Sequence, residues 1–161
     1  MKSRTDQSVF SFVLTIVVFG LLIAAVYFTY GTDKFILTTL LVIVILGVSL
    51  FYAPLSISAD EREVNINSSL RIHTIPMDRI VSVERFQPTM GSLRICGSGG
   101  FMGYWGMFSE KDTGKYMAYY GRPSDCFMIC LDNGDKYVLG CKDPDAMVDF
   151  INSHIKHDGI A

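Results

Sequence analysis

The densest group of residues that could bind a ligand lies in segment 96–108, which reads CGSGGFMGYWGMF. Glycine-rich loops bind phosphate through their backbone amides, so nucleotide binding is the first chemistry to consider. A Walker loop would need Gly-Lys-Ser/Thr, but the first lysine after this segment is Lys111. A dinucleotide fingerprint that begins at Gly97 and Gly99 would need a third glycine where Met102 stands. We therefore expect no nucleotide site in this segment.

The aromatic side chains of the same segment have two interpretations. Tryptophan and tyrosine rings suit the interface between membrane and water, and basic side chains downstream could touch lipid phosphate. Alternatively, the rings fill the core of a small domain, which is the interpretation we favour. The candidate surface for lipid or a protein partner consists of Phe101, Met102, Tyr104, Trp105, Lys111, Lys115 and Arg122.

Other reactive residues do not form a recognisable catalytic or metal-binding pattern. His154 and His157 are three apart, but no acidic residue or cysteine stands at a zinc-ligand spacing from them. Cys126 and Cys130 would lie about 13 Å apart on one strand, at ~3.3 Å per residue. Segment 97–99 lacks the Gly-x-Ser-x-Gly pattern of a nucleophile elbow. We predict no catalytic residue, cofactor or metal; a small membrane enzyme is the least favoured hypothesis.

Two long uncharged runs, 7–32 and 35–59, precede these residues. A helix rises about 1.5 Å per residue, so ~20 residues cross a ~30 Å hydrocarbon core. We therefore predict a transmembrane helical hairpin over 9–53, with spans at about 9–30 and 35–53. A cleaved secretory signal is the alternative for the first run, but the apolar region of a signal is usually only about 7–15 residues.

Basic residues on either side of the predicted hairpin indicate its orientation. Lys2 and Arg4 precede the first span, and Arg62 and Arg71 follow the second, whereas the connection holds only Lys34. By the positive-inside rule we expect both termini to be cytoplasmic. The spans contain no charged residue or histidine, so we interpret the hairpin as an anchor rather than a transporter or channel.

Small residues form one face of the first predicted span. They are Ser11, Thr15, Gly20 and Ala24, and Gly20 and Ala24 form a small-xxx-small pair. Such a face could form a dimer interface, or it could let the two helices pack on each other. We favour packing between the two helices.

The remainder of the chain reads as a soluble, strand-rich domain. From Pro54 onward it holds 11 Lys and Arg against 14 Asp and Glu, so we expect no binding to nucleic acid. Alternating apolar and polar residues predict short antiparallel strands. The predicted division is a cytoplasmic N-terminus over 1–8, the hairpin over 9–53 and this domain over 54–161.

The strongest turn signal is Asn133-Gly134 between two apolar runs, which predicts a two-residue type I′ hairpin. In that register Ile129 faces Val138 and Cys126 faces Cys141. A disulfide between these two cysteines is then conceivable. Two reduced thiols that pack as small hydrophobic groups are the interpretation we favour.

A single helix is predicted to close the chain. Asp143 is a suitable N-cap and Pro144 suits the first helical position. The apolar stripe behind them would lie against a sheet; it comprises Met147, Phe150, Ile151, His154 and Ile155.

This order of strands and one terminal helix resembles the pleckstrin-homology (PH)-like fold, over about residues 55–157. The resemblance rests on strand order, the alternation around 75–80, the glycine–aromatic segment and the final hairpin and helix. It implies a bent antiparallel sheet or partly open barrel with a C-terminal helix, after two membrane spans, as in bacterial PH-like membrane proteins. The family supplies no catalytic residues. The region 58–69 carries Arg62 as its single basic residue, so specific phosphoinositide recognition is not expected.

The sequence therefore predicts a two-span protein of the inner membrane with a cytoplasmic PH-like domain. Its expected role is non-catalytic binding and scaffolding of a protein partner, or of further copies of itself, in contact with membrane lipid. The alternative is a sensor of the lipid surface that uses the glycine–aromatic segment.

Overall fold

The computed structural model describes residues 1–89 and 91–155. In this part of the chain the α-helices are α1 Val9–Thr29, α2 Phe35–Tyr52 and α3 Pro144–His154. The β-strands are β1 Lys2–Arg4, β2 Pro54–Ala59, β3 Glu63–Ser68, β4 Ile72–Pro76, β5 Ile80–Arg85, β6 Leu93–Gly100, β7 Gly103–Glu110, β8 Gly114–Tyr120, β9 Cys126–Leu131 and β10 Lys136–Gly140.

The helices α1 and α2 pack as a hairpin in which every residue but Ser11 and Ser49 is exposed or half-buried. They have 21 and 18 residues, or about 31 and 27 Å at 1.5 Å per residue. Only 6% of the most apolar window of each helix is buried. Both helices are thus long and apolar enough to span a membrane, and they leave their apolar surface uncovered by protein.

The strands form two sheets, with the orders β1-β2-β3-β4 and β5-β9-β10-β8-β7-β6. Neighbouring strands run antiparallel, as predicted, except that β8 and β10 are parallel. The antiparallel prediction is wrong at this pair because the β9–β10 hairpin returns β10 beside β8, a strand from earlier in the chain. The sheets are not closed into a barrel, and with α3 they agree with the predicted PH-like fold class.

The C-terminal helix lies where the sequence predicts it. Met147 and Ile151 are fully buried in the core with Phe127 and Leu139 of the larger sheet. The Asn152 side chain donates a hydrogen bond to a carbonyl of β5 at 3.2 Å. The predicted start is confirmed, although the N-cap side chain makes no capping hydrogen bond. The stripe therefore closes one end of the core against β5.

The predicted register of the β9–β10 hairpin is wrong by one residue. Cys126 faces Gly140, and the Leu131 amide donates to the Asp135 carbonyl oxygen at 2.9 Å, which leaves a loop of three residues, 132–134. A type I′ turn needs positive φ at both central residues, but of the pair only Gly134 has it, at 83°. The Asp132 amide donates a hydrogen bond to the Arg79 carbonyl oxygen at 3.0 Å. The Asp132 carboxylate pairs with the Arg79 guanidinium at 3.1 Å. A three-residue loop needs positive φ only at its last residue, which Gly134 supplies, so Asp132 lies in the loop.

The N-terminal segment is part of the sheet domain. Its strand β1 adds to the edge of β2, and the Thr5 hydroxyl donates to the Gly140 carbonyl oxygen at 2.9 Å. Ser8 then caps α1, and its amide donates to the Gly121 carbonyl oxygen at 2.9 Å. Segment 1–8 therefore fixes the first turn of α1 against the domain.

Candidate functional site

The glycine–aromatic segment forms the β6–β7 hairpin. Gly97 and Gly106 face each other across it, and both have φ of 113°. A Cβ built at Gly106 would lie 2.8 Å from the Gly97 Cα, so only glycine fits this pair of positions. At this pair, the two backbones approach each other.

Strand β6 also bends sharply. Arg94 and Gly99 are five residues apart, so a straight strand would separate them by about 16 Å. A Cβ built at Gly99 would nevertheless lie 3.2 Å from Nη1 and 3.8 Å from Cδ of Arg94. The arginine side chain therefore lies back over the glycine-rich end of its own strand, towards the tip of the hairpin.

The tip of the β6–β7 hairpin is bound to α1 by hydrogen bonds. The fully buried Ser11 hydroxyl donates to the Gly100 carbonyl oxygen and accepts the Gly103 amide at 3.0 Å. The Thr15 hydroxyl accepts the Met102 amide at 2.9 Å. Within residues 1–89 and 91–155, Met102 is the one non-glycine residue with positive φ, at 55°, so this contact also holds a strained turn. We call this set of contacts the helix–turn junction.

These contacts assign Ser11 and Thr15 a partner that neither sequence interpretation considered. Their hydroxyl groups bind the β6–β7 turn rather than α2. A Cβ built at Gly20 would contact nothing within 4 Å, so this position does not mediate close packing in the chain. The missed signal was a pair of hydroxyl residues four apart at the start of an apolar helix, where polar groups need partners.

The aromatic residues of the candidate surface divide between core and junction. The Trp105 ring is 8% exposed and stacks on Tyr52 of α2, with centroids 5.5 Å apart, and its Nε1 donates to the Phe101 carbonyl oxygen at 3.3 Å. Phe101 is half-buried, and its ring lies 5.7 Å from that of Phe19 in α1. Tyr104, also half-buried, stacks on Tyr120 at 4.8 Å. Together these rings join the larger sheet to both helices.

The basic residues of the candidate surface are not brought together with the aromatic ones. Lys111 and Lys115 are exposed at the β7–β8 turn, the end of the ladder away from the helices. They are about 20 Å along the strand from Tyr104 at 3.3 Å per residue. Arg122 is exposed near the helices and pairs with Asp125 at 3.5 Å.

Buried titratable groups lie elsewhere in the core. Burial, reinforced by a hydrogen bond to Glu110 at 2.9 Å, raises the pKa of Tyr116. Cys126 and Cys141 are free thiols; burial raises the pKa of both, that of Cys141 to about 11. High thiol pKa values and burial are typical of unreactive structural cysteines. Among the described residues no group of three histidine, cysteine or acidic side chains could hold a metal ion.

The family assignment follows from the sheet-rich part of the chain. A family model described as a bacterial PH domain matches residues 55–155. The chain therefore belongs to the bacterial PH domain family. Comparisons with curated proteins and with solved structures found no match.

The PH domain match begins at β2 and ends with α3, so it excludes α1 and α2. The resemblance predicted from the sequence is confirmed over nearly the same residues. PH domains are generally non-catalytic modules that bind lipids or proteins. The helix–turn junction joins this PH domain to a helical hairpin that lies outside the family match.

Proposed function

We propose that this protein is a two-span membrane protein that presents its PH domain as a non-catalytic binding module for a protein partner. The helical hairpin anchors the chain in the bacterial inner membrane, with the PH domain and both termini in the cytoplasm. The observation that carries the proposal is the helix–turn junction. Hydrogen bonds between the Ser11 and Thr15 hydroxyls and the β6–β7 turn hold this turn against α1.

The junction supports a scaffold because it gives the PH domain one orientation relative to the helices. The N-terminal strand adds a second attachment, so the domain is joined to α1 at two places. A tethered domain with a flexible linker would instead sample many orientations. In this orientation the β7–β8 turn with Lys111 and Lys115 lies away from the helices and is the surface we assign to the protein partner.

The second candidate, a sensor of the lipid surface, draws support from the aromatic end of the candidate surface. Phe101 and Met102 are half-buried beside α1, at the level where a bilayer would surround the helix. We propose that these residues contact lipid while the distal lysines contact protein. The two roles use opposite ends of the same β6–β7–β8 unit.

Membrane fractionation followed by partner capture tests the proposal. We expect the full-length protein to remain in membranes after carbonate washing. From detergent extracts it should retain a stoichiometric partner that Lys111→Glu with Lys115→Glu releases. Lys142→Glu, an exposed lysine on another surface, is the matched control and should keep the partner. Recovery of the chain as a water-soluble monomer would contradict the anchor, and equal capture by all variants would contradict the assigned surface.

A further inference from the structure

A groove of about 330 Å³ runs between α2 and the β6–β7 hairpin. We call it the Arg94 groove, and its walls include Ile45, Val48 and Ser49 from α2 and Arg94, Phe101 and Trp105 from the hairpin. Apart from Arg94, Ser49 and Ser98, its lining residues carry no polar side chain other than the indole N–H of Trp105. That N–H already donates to the Phe101 carbonyl oxygen. The groove thus combines an apolar wall with one full positive charge.

The position of this charge follows from the shape of β6. The bend of this strand lays the Arg94 side chain over Gly99, where a larger residue would meet its guanidinium. Within residues 1–89 and 91–155, Arg94 makes no salt bridge and no side-chain hydrogen bond. Its five N–H groups are therefore available to a ligand that enters the groove.

In the proposed membrane arrangement, the groove lies near the boundary between lipid headgroups and acyl chains. Val48 and Val44 are four and eight residues before the end of α2 at Tyr52, or about 6 and 12 Å along the helix at 1.5 Å per residue. Both valines are exposed, at 45% and 56%. An arginine at this level reaches the phosphate layer with its head and leaves apolar surface below for an acyl chain.

We propose that the Arg94 groove binds one glycerophospholipid of the leaflet next to the PH domain. Its phosphate contacts the Arg94 guanidinium, and one acyl chain lies along Val44 and Val48. Guanidinium groups bind phosphate through paired charge-assisted hydrogen bonds, whereas the valines offer only dispersion contacts. This inference rests on the proposed function, because it requires the helices to be surrounded by lipid.

The chemistry of the groove favours a phospholipid over other occupants. A diacylglycerol would fill the apolar wall but leave the guanidinium unpaired, and free phosphate would pair with it but leave the valines exposed to water. A second copy of the chain would need an acidic group at this depth, and the spans carry none. A phospholipid supplies both parts at the spacing that the bilayer itself imposes.

The single tryptophan of the chain, Trp105, lines the groove and reports on its occupant. We would titrate the full-length protein in maltoside micelles with phosphatidylglycerol that carries brominated acyl chains, and record quenching of Trp105 fluorescence. Brominated diacylglycerol, which lacks the phosphate, is the matched ligand. Half of the Trp105 fluorescence of the wild type should be quenched at about tenfold lower mole fraction of phospholipid than of diacylglycerol. A difference of about tenfold in affinity is what one charge-assisted hydrogen bond contributes.

Two variants remove the contact in different ways. Arg94→Gln deletes the charge and keeps a polar side chain, and Arg94→Ala removes the whole side chain. In both, the preference for phospholipid should disappear, whereas Arg62→Gln, an exposed arginine outside the groove, should keep it. Near-ultraviolet circular dichroism confirms that each variant is folded before it is titrated.

The outcomes separate this inference from the proposed function. Equal quenching by both lipids in the wild type, or an unchanged preference in Arg94→Gln, would overturn the phospholipid site. Release of the brominated lipid by millimolar inorganic phosphate would assign the site to a free anion and overturn it as well. Failure of the protein to stay in carbonate-washed membranes would instead overturn the membrane anchor.

Discussion

Removal of the Ser11 hydroxyl should loosen the PH domain from α1. The Ser11→Ala variant leaves two buried backbone groups, the Gly100 carbonyl and the Gly103 amide, without their partner. Each buried group that loses its hydrogen bond costs about 1–3 kcal/mol, so the two together cost about 2–6 kcal/mol. This is a large fraction of the ~5–15 kcal/mol that stabilises a typical domain.

Hydrogen exchange in nanodiscs measures this effect at the amide concerned. The Gly103 amide should be strongly protected in the wild type and should exchange at least ~30-fold faster in Ser11→Ala, since 2 kcal/mol corresponds to about that factor. Thr29→Val is the matched control, because that hydroxyl is bonded only to carbonyl oxygens of its own helix. If Gly103 exchanged equally slowly in Ser11→Ala and Thr29→Val, the junction would not be what holds the turn.

Three further predictions follow from the same structure. Gly106→Ala should lower the free energy of unfolding by more than about 2 kcal/mol, because its Cβ would overlap the paired strand. Gly134→Ala, in an open turn, should lower it by only about 1–2 kcal/mol. Thermal unfolding in detergent compares the two variants, and equal losses would contradict the close approach of the strands at Gly97 and Gly106. Burial, with a smaller contribution from a neighbouring arginine, lowers the pKa of His73 below 6.5, so the unfolded chain takes up this proton first as pH falls. Stability should therefore be lost from pH 7.5 to 5.5, and less steeply in His73→Phe; an identical pH profile for this variant would refute the assignment. Iodoacetamide at pH 8 should alkylate the exposed Cys96 well before Cys141, because burial raises the pKa of Cys141 to about 11. Mass spectrometry of the labelled peptides measures both rates, and faster alkylation of Cys141 would contradict the prediction.

The parts of the fold that depend on local pattern were predictable from the sequence. Two uncharged runs marked α1 and α2, and Asp143-Pro144 followed by an apolar stripe marked α3. These signals involve residues within a few turns of one another, where hydrophobic periodicity and helix-start preferences decide the structure. The PH-like fold class followed from the order of such elements.

The parts that depend on distant contacts were not predictable in this way. Asp132 lies in the β9–β10 loop and contacts Arg79, 53 residues away, which the Asn-Gly pair does not reveal. The helix–turn junction joins Ser11 to Gly103, 92 residues away. Hydroxyls in an apolar helix indicate that a polar partner is needed, but the sequence does not say which one.

The candidate surface was predicted as one unit but is divided in the structure. Trp105 belongs to the core, as the favoured interpretation held, because Tyr52 covers its ring. Lys111 and Lys115 are close to the aromatic segment in sequence, yet the strand between them carries them to the opposite end of the sheet. Residues close in sequence lie far apart here, because an extended strand rises about 3.3 Å per residue.

A distance measurement between the helical hairpin and the PH domain tests the fixed orientation most directly. Spin labels introduced as noncanonical amino acids at Asp33, in the connection of the helices, and at Lys111, in the β7–β8 turn, would be exposed and would leave the native cysteines intact. In nanodiscs, pulsed electron–electron double resonance should give one narrow distribution of label-to-label distances in the wild type. This distribution should broaden in Ser11→Ala. A broad distribution in the wild type would contradict a domain held in one orientation on its anchor.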